Sequence, residues 1–292
     1  MSKNKQEIDE ITGTKTTGHE WDGIKELDTP MPRWWLWIFY ACIVWAVGYM
    51  IAMPSWPLIT GSTKGLLGYA SRADIVSDLQ KAKDGQAVFI AKIDATEVGD
   101  IVKDEELARF ARAGGSSAFK VNCVQCHGAG ASGSLGYPNL NDDEWVWGGS
   151  IDAIYTTIAH GARDDIDEDT HISEMSAFGA DELLEKEEIT AVANYVVSIS
   201  GGETTSALIA NGAEVFTDNC AACHGDNAEG VAELGGPALN NAIWLMVDGS
   251  IESITAQIDK PKHGVMPAWS GILSDATVKQ LAVYVHSLGG GE

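Results

Sequence analysis

Hydrophobic positions along the chain fall into three regimes. Residues 34–53 read WWLWIFYACIVWAVGYMIAM, a run without a charge and of the length at which a helix crosses the hydrocarbon core of a bilayer. A helix that is apolar on every side suits lipid better than a solvated domain. Trp34, Trp35 and Trp37 crowd one end and Trp56 stands beyond the other, where indole rings settle among headgroups. Pro32 and Pro54 bracket the run, as helix ends permit. The stretch before it is mostly polar, whereas a cleaved secretory signal is shorter and starts near the N-terminus, so an uncleaved anchor is expected. This gives a tail over 1–33 and a transmembrane helix over 34–56. In the second regime, 57–103, Ile75 and Leu79 among charged neighbours predict a linker with one short surface helix.

The third regime is a repeat. Phe119 stands four positions before Cys123, and Phe216 four before Cys220. YPNLN at 137–141 answers GPALN at 236–240, Trp145 answers Trp244, and GSIDAI at 149–154 answers GSIESI at 249–254. Each copy closes on one helical face: Ile189, Val192, Val196 and Ile199 in the first, and Val278, Leu281, Val285 and Leu288 in the second, with Tyr195 and Tyr284 in equivalent places. Leu107, Phe110 and Phe119 mark a helix before the first motif, and Leu208, Ile209, Val215 and Phe216 one before the second. No β-alternation shows in the soluble part. The expectation is therefore all-α: one N-terminal transmembrane helix, then two tandem copies of a small helical module. They occupy 104–201 and 202–292 and are joined through SGGETTS at 200–206.

The chemistry sits in CVQCH at Cys123–His127 and CAACH at Cys220–His224. Zinc needs four close ligands, and each module offers one Cys pair and one adjacent His. A thioredoxin-like redox pair belongs to an α/β fold. Cys-x-x-Cys-His reads as a c-type haem attachment, here twice: two thiols on a helical turn reach the porphyrin vinyl groups, and the next side chain swings beneath the iron. His127 and His224 are then proximal ligands. A methionine opposite them raises the reduction potential and blocks the iron, which favours electron transfer. Met175 is the only methionine of the first module; it stands 20 residues before Tyr195, and Met266 stands 18 before Tyr284. The repeat thus marks Met175 and Met266 as ligands, and Met246 beside Trp244 as core filler. His160 and His171 are alternative ligands for the first iron, although a loop or surface role is the preferred reading of both. His263 and His286 carry no signal.

Net charge is −23, and residues 57–292 hold 14 Lys+Arg against 35 Asp+Glu. Such a surface argues against nucleic acid and favours steering of basic partners. Of five cysteines, four lie in the motifs and Cys42 lies in the apolar run, which leaves no pair for a structural disulfide. Haem is stitched to cysteines on the outer side of bacterial energy-transducing membranes, so both modules are expected in the periplasm and residues 1–33 in the cytoplasm. No catalytic carboxylate pair, nucleophile triad or phosphate loop is evident.

These features together resemble the di-haem subunit III of cbb3-type cytochrome c oxidases, the CcoP/FixP family. The resemblance is carried by PRWWLWIFY at 32–40, YMIAMPSWP at 49–57, both Cys-x-x-Cys-His modules, HISEMSAFG at 171–179 and VMPAW at 265–269. It implies two covalently attached haem c groups on an inner-membrane, single-pass subunit. By chain order it puts Cys123, Cys126, His127 and Met175 on the first haem, and Cys220, Cys223, His224 and Met266 on the second. The family often has proline after the first axial methionine; this chain has Ser176. The resemblance also implies that electrons from a donor cytochrome c or the bc1 complex pass through both haems to mono-haem subunit II. From there they would reach the haem-copper site of subunit I, where oxygen is reduced. The competing readings are a free-standing anchored di-haem carrier serving other reductases, a di-haem peroxidase with one open iron, and a zinc-binding interaction module.

Overall fold

The polar tail folds before it reaches the membrane segment. β1 (Thr16–Trp21) and β2 (Ile24–Leu27) pair antiparallel across Asp22-Gly23, whose φ angles of 50° and 85° are those of the tight turn that matches strand twist. Thr16 is buried at its base, where its N–H donates to the Glu7 carbonyl at 2.7 Å. The Asp-Gly pair was the available signal for this hairpin, and a reading by apolar periodicity passes over it. The computed structural model describes residues 7–204 and 206–291. Residues 1–6 of the expected tail, residue 205 of the expected linker and residue 292 of the second module lie outside the described residues.

α1 (Arg33–Ala52) follows, with none of its residues buried. Among the described residues it is the one helix long and apolar enough to cross a bilayer. It stops at Met53, before Pro54, because a residue preceding proline is pushed out of the helical region. A short hairpin, β3 (Pro57–Leu58) with β4 (Gly61–Ser62), turns the chain back. Leu66 and Leu67 then donate at 3.0 Å to the carbonyls of Ile51 and Ala52, acceptors that a helix end leaves unpaired.

The contacts divide the chain at Lys83/Asp84 into two compact units. The stretch 57–103 holds more helix than its apolar spacing predicts: α2 (Ser71–Asp94) runs for 24 residues, and α3 (Val98–Ile101) follows. In the second unit Phe89, Ile90 and Ile93 at the end of α2 pack into a core. There Phe89 stacks on Phe110 with ring centroids 4.7 Å apart. The remaining helices are α4 (Glu105–Asn122), α5 (Val124–His127), α6 (Ile151–His160), α7 (Lys186–Ile199), α8 (Ser206–Asn219), α9 (Ala221–His224), α10 (Ile251–Asp259) and α11 (Asp275–His286). Several start on side-chain caps, Asp104 for α4, Ser150 for α6, Ser250 for α10 and Ser274 for α11, each satisfying N–H groups that the first turn leaves open.

Two cores form, but they do not follow the division of the chain into 104–201 and 202–292. The first gathers α4 and α6 with α11 from the chain's end: Phe119, Ile154 and Ile158 pack with Val278, Leu281 and Val285. The second gathers α7 with α8 and α10: Ile189, Val192 and Val196 pack with Val215, Phe216 and Ile258. Phe119 meets Tyr284 at 5.4 Å and Phe216 meets Tyr195 at 5.3 Å, both tilted by about 55°. Two glycines allow the crossings. A Cβ on Gly115 would lie 2.0 Å from the Gln280 carbonyl oxygen, and one on Gly212 would lie 2.2 Å from that of Ala191, so only glycine lets either helix pair approach this closely. Each motif helix therefore packs on the closing helix of the other repeat, and the second core is a continuous segment inserted into the first.

Candidate haem site

α4 ends where the chemistry begins. Cys123 terminates α4 and opens α5, and the single turn that follows brings the N–H groups of Cys126 and His127 onto its carbonyl at 3.1 and 2.9 Å. Gly128, at φ 77°, then breaks the helix. The second copy repeats this: Cys223 and His224 donate to the Cys220 carbonyl at 3.1 and 3.0 Å, and Gly225 has φ 82°. Nδ1 of His127 lies 3.1 Å from the Pro138 carbonyl, and Nδ1 of His224 lies 2.8 Å from that of Pro237. A carbonyl only accepts, so each Nδ1 carries the proton and Nε2 keeps a lone pair for a metal. Burial lowers the pKa of both imidazoles, and the same carbonyls oppose that shift. The two prolines lie in the repeated strings that flank the motifs, but their role as histidine acceptors is visible only in three dimensions.

Burial, with a smaller contribution from the neighbouring Cys126 or Cys223, pushes the Cys123 and Cys220 thiols up to about 11. That is the opposite of the depressed pKa a reactive redox cysteine has. Among the described residues, the one group of three metal-ligating side chains close enough to share an ion is His160, Asp167 and Asp169, which contains no cysteine. Both findings weigh against the redox-pair and zinc readings of the motifs.

A cavity of about 670 Å³ is lined by Cys123, Cys126 and His127, by Cys220, Cys223 and His224, and by Met175 and Met266. All eight residues expected at the site are thus brought together, and the walls between them are mainly apolar, with Phe119, Trp145, Phe216 and Trp244 among them. Apolar walls, a free imidazole nitrogen, two thiols in reach and a thioether suit a thioether-linked haem in each half. The pairing by chain order is not what the packing gives. Met266 packs against the core that holds Cys123, and Met175 against the core that holds Cys220. The backbone repeats the exchange: Trp269 N–H donates to the Ile158 carbonyl at 3.2 Å, and Phe178 N–H donates to that of Ile258 at 3.1 Å. Each methionine loop is therefore tied to the α6-type helix of the other repeat.

His160 and His171 do not line the cavity. Nδ1 of His160 lies 3.1 Å from Asp167, Nε2 of His171 lies 3.1 Å from the Thr157 hydroxyl, and the His171 ring stacks on Trp147 at 4.2 Å. His263, which carried no signal in the sequence, does line the cavity, as does Met246.

Comparison with known proteins bears on what this site serves. A family model described as cytochrome c oxidase, cbb3-type, subunit III matches residues 111–196 and 207–285. One described as the N-terminal domain of cytochrome oxidase-cbb3, FixP, matches residues 13–60. The chain belongs to the cbb3-type oxidase subunit III family. A cbb3-type cytochrome c oxidase subunit FixPc of Rhizobium leguminosarum bv. viciae is 55% identical over 99% of each chain. FixP of Rhizobium meliloti (strain 1021) is 52% identical over 100% of each, and CcoP of Cereibacter sphaeroides 49% over 95% of each. As a subunit III family member the protein is an electron-transfer subunit of this oxidase type, with cytochrome c domains and a candidate membrane anchor in α1.

Proposed function

We propose that the chain carries two covalent haem c groups, each clamped between a histidine and a methionine of different repeats. Cys123 and Cys126 would attach the first haem, and His127 and Met266 would hold its iron. Cys220 and Cys223 would attach the second, with His224 and Met175. The observation that carries this reading is the single cavity lined by both motifs and both methionines, together with the packing of each methionine against the opposite repeat's motif. When bound, haem iron supplies a one-electron couple. The protein's own part is to hold each imidazole by its proline carbonyl, to seat a thioether opposite, and to keep water away with Phe119, Trp145, Phe216 and Trp244. Histidine and methionine donors at both haems would leave the iron no place for oxygen, so in this reading the chain relays electrons and has no oxygen-reducing site of its own.

In this reading the haem modules face the periplasm of a bacterial inner membrane, and the tail before α1 is cytoplasmic. Electrons arrive from a donor cytochrome c or the bc1 complex, helped by the acidic surface when the donor is basic. They leave through the mono-haem subunit II toward the haem-copper subunit I. Intact-mass spectrometry of the denatured chain is expected to show two added haem masses, and the reduced wild-type protein is expected not to bind carbon monoxide. A colourless chain, or one haem mass, would overturn the assignment.

A further inference from the structure

The two methionine loops meet at one side chain. Nε of Arg163 donates to the Gly264 carbonyl at 2.6 Å, and Nη1 donates to the Ser173 carbonyl at 2.9 Å. Both acceptors stand two residues before a methionine, Gly264 before Met266 and Ser173 before Met175. We infer that Arg163 is a positioning residue shared by both redox sites, one guanidinium that fixes both methionine loops at once. The inference rests on the haem reading above and adds the group that couples its two halves.

The surroundings fit that role. Arg163 lies against the cavity, with its guanidinium carbon 5.8 Å from the centroid of Trp147, a distance at which the ring face attracts a cation. Its backbone is held at φ 54°, a left-handed conformation that a bulky residue adopts only where its surroundings enforce it. Here they do. Ala162 exchanges two 2.9 Å backbone hydrogen bonds with Met266, Arg163 N–H donates to the His171 carbonyl at 2.7 Å, and Asp164 accepts from Ala268 N–H at 3.1 Å. The segment 162–164 is thus laced to the loops of both methionines, and the Arg163 side chain closes the bracket. A guanidinium presents divergent N–H groups in a fixed plane, whereas an ammonium is a point charge on a flexible stem. Lysine can keep the charge here but not the two-way fork.

The test uses the full-length, haem-loaded chain carrying R163Q or R163K, with R112Q on an exposed stretch of α4 as control. The readouts are the far-red methionine-to-ferric-iron absorption band, the midpoint potential of each haem, and carbon monoxide binding after reduction. R163Q is expected to weaken the band and lower the midpoint at both haems, because methionine ligation and a nearby positive charge both favour ferrous iron. R163K is expected to recover part of the potential but to leave the band weaker than wild type, and R112Q to change nothing. If R163Q retains no haem, R163K carries the test. Unchanged bands and potentials in both variants, or an effect at one haem only, would overturn the inference. A wild-type chain that itself lacks the band would instead overturn the ligand assignment on which it rests.

Discussion

The two cores are built to one plan and finished differently. The first takes in Phe89, Ile90 and Ile93 from α2 and Val98 and Ile101 from α3, and its His127 is only 8% exposed. The second has no such addition, and its His224 remains half-buried. The first core also buries Lys279, which pairs with Asp275 at 2.9 Å and donates to the Asp94 carbonyl at 3.1 Å, placing a cation at the C-terminal end of α2 as the helix dipole favours. The first motif is thus backed by extra helix that the second lacks. The repeat supplies equivalent chemistry, and the helices packed around each copy differ.

The largest effects should come from exchanging methionines in a background that holds a single haem. With Cys220 and Cys223 replaced by alanine, only the first haem remains. M266L is then expected to abolish its far-red band and to lower its midpoint by a sizeable part of the roughly 0.8 V that axial ligands span, while M175L leaves both nearly unchanged. The reverse result would restore pairing by chain order and break the crossed comparison. Glycine replacements come next. G115A and G212A each force a Cβ against a carbonyl of the crossing helix, and each should cost on the order of 1–3 kcal/mol by overpacking. Thermal melts followed at the haem of each core should show G115A loosening the first site and G212A the second. The smallest effect sharpens the likeness: S150A and S250A remove matching caps, with side-chain acceptance from Ala153 N–H at 3.3 Å and from Ser253 N–H at 3.2 Å. Each should cost about 1 kcal/mol, and a large inequality between them would show that the two caps are not equivalent.

Much of this was legible in the sequence. The apolar helix α1, the helices of the repeat and the gathering of both motifs and both methionines at one cavity follow from spacing, because local periodicity and the repeat report directly on which residues face inward. The exchange of closing helices does not follow. Gly115 with Tyr284 and Gly212 with Tyr195 offer nearly the same contacts as the pairs within each repeat would, so the pattern alone is satisfied either way. What favours the exchange is the short connection between Ile199 and Ser206, which makes α7 and α8 antiparallel neighbours and leaves α4 to find α11. α2 was under-read for a different reason: its apolar residues are sparse, and only its last turns enter a core. Arg163 was invisible because its acceptors are backbone carbonyls, which carry no residue signature.

The insertion of one core within the other also sets an order of events for the growing chain. The apolar residues packed in the second core all lie between Met175 and Ile258, so that core can gather before α11 is available. The first must keep its half-built pocket open until α11 arrives, long after Cys123 and His127 have emerged, and contacts of such wide sequence separation are slow to form. A chaperone or a neighbouring subunit that shields the bare face of α4 during that interval would therefore protect the whole molecule from aggregation.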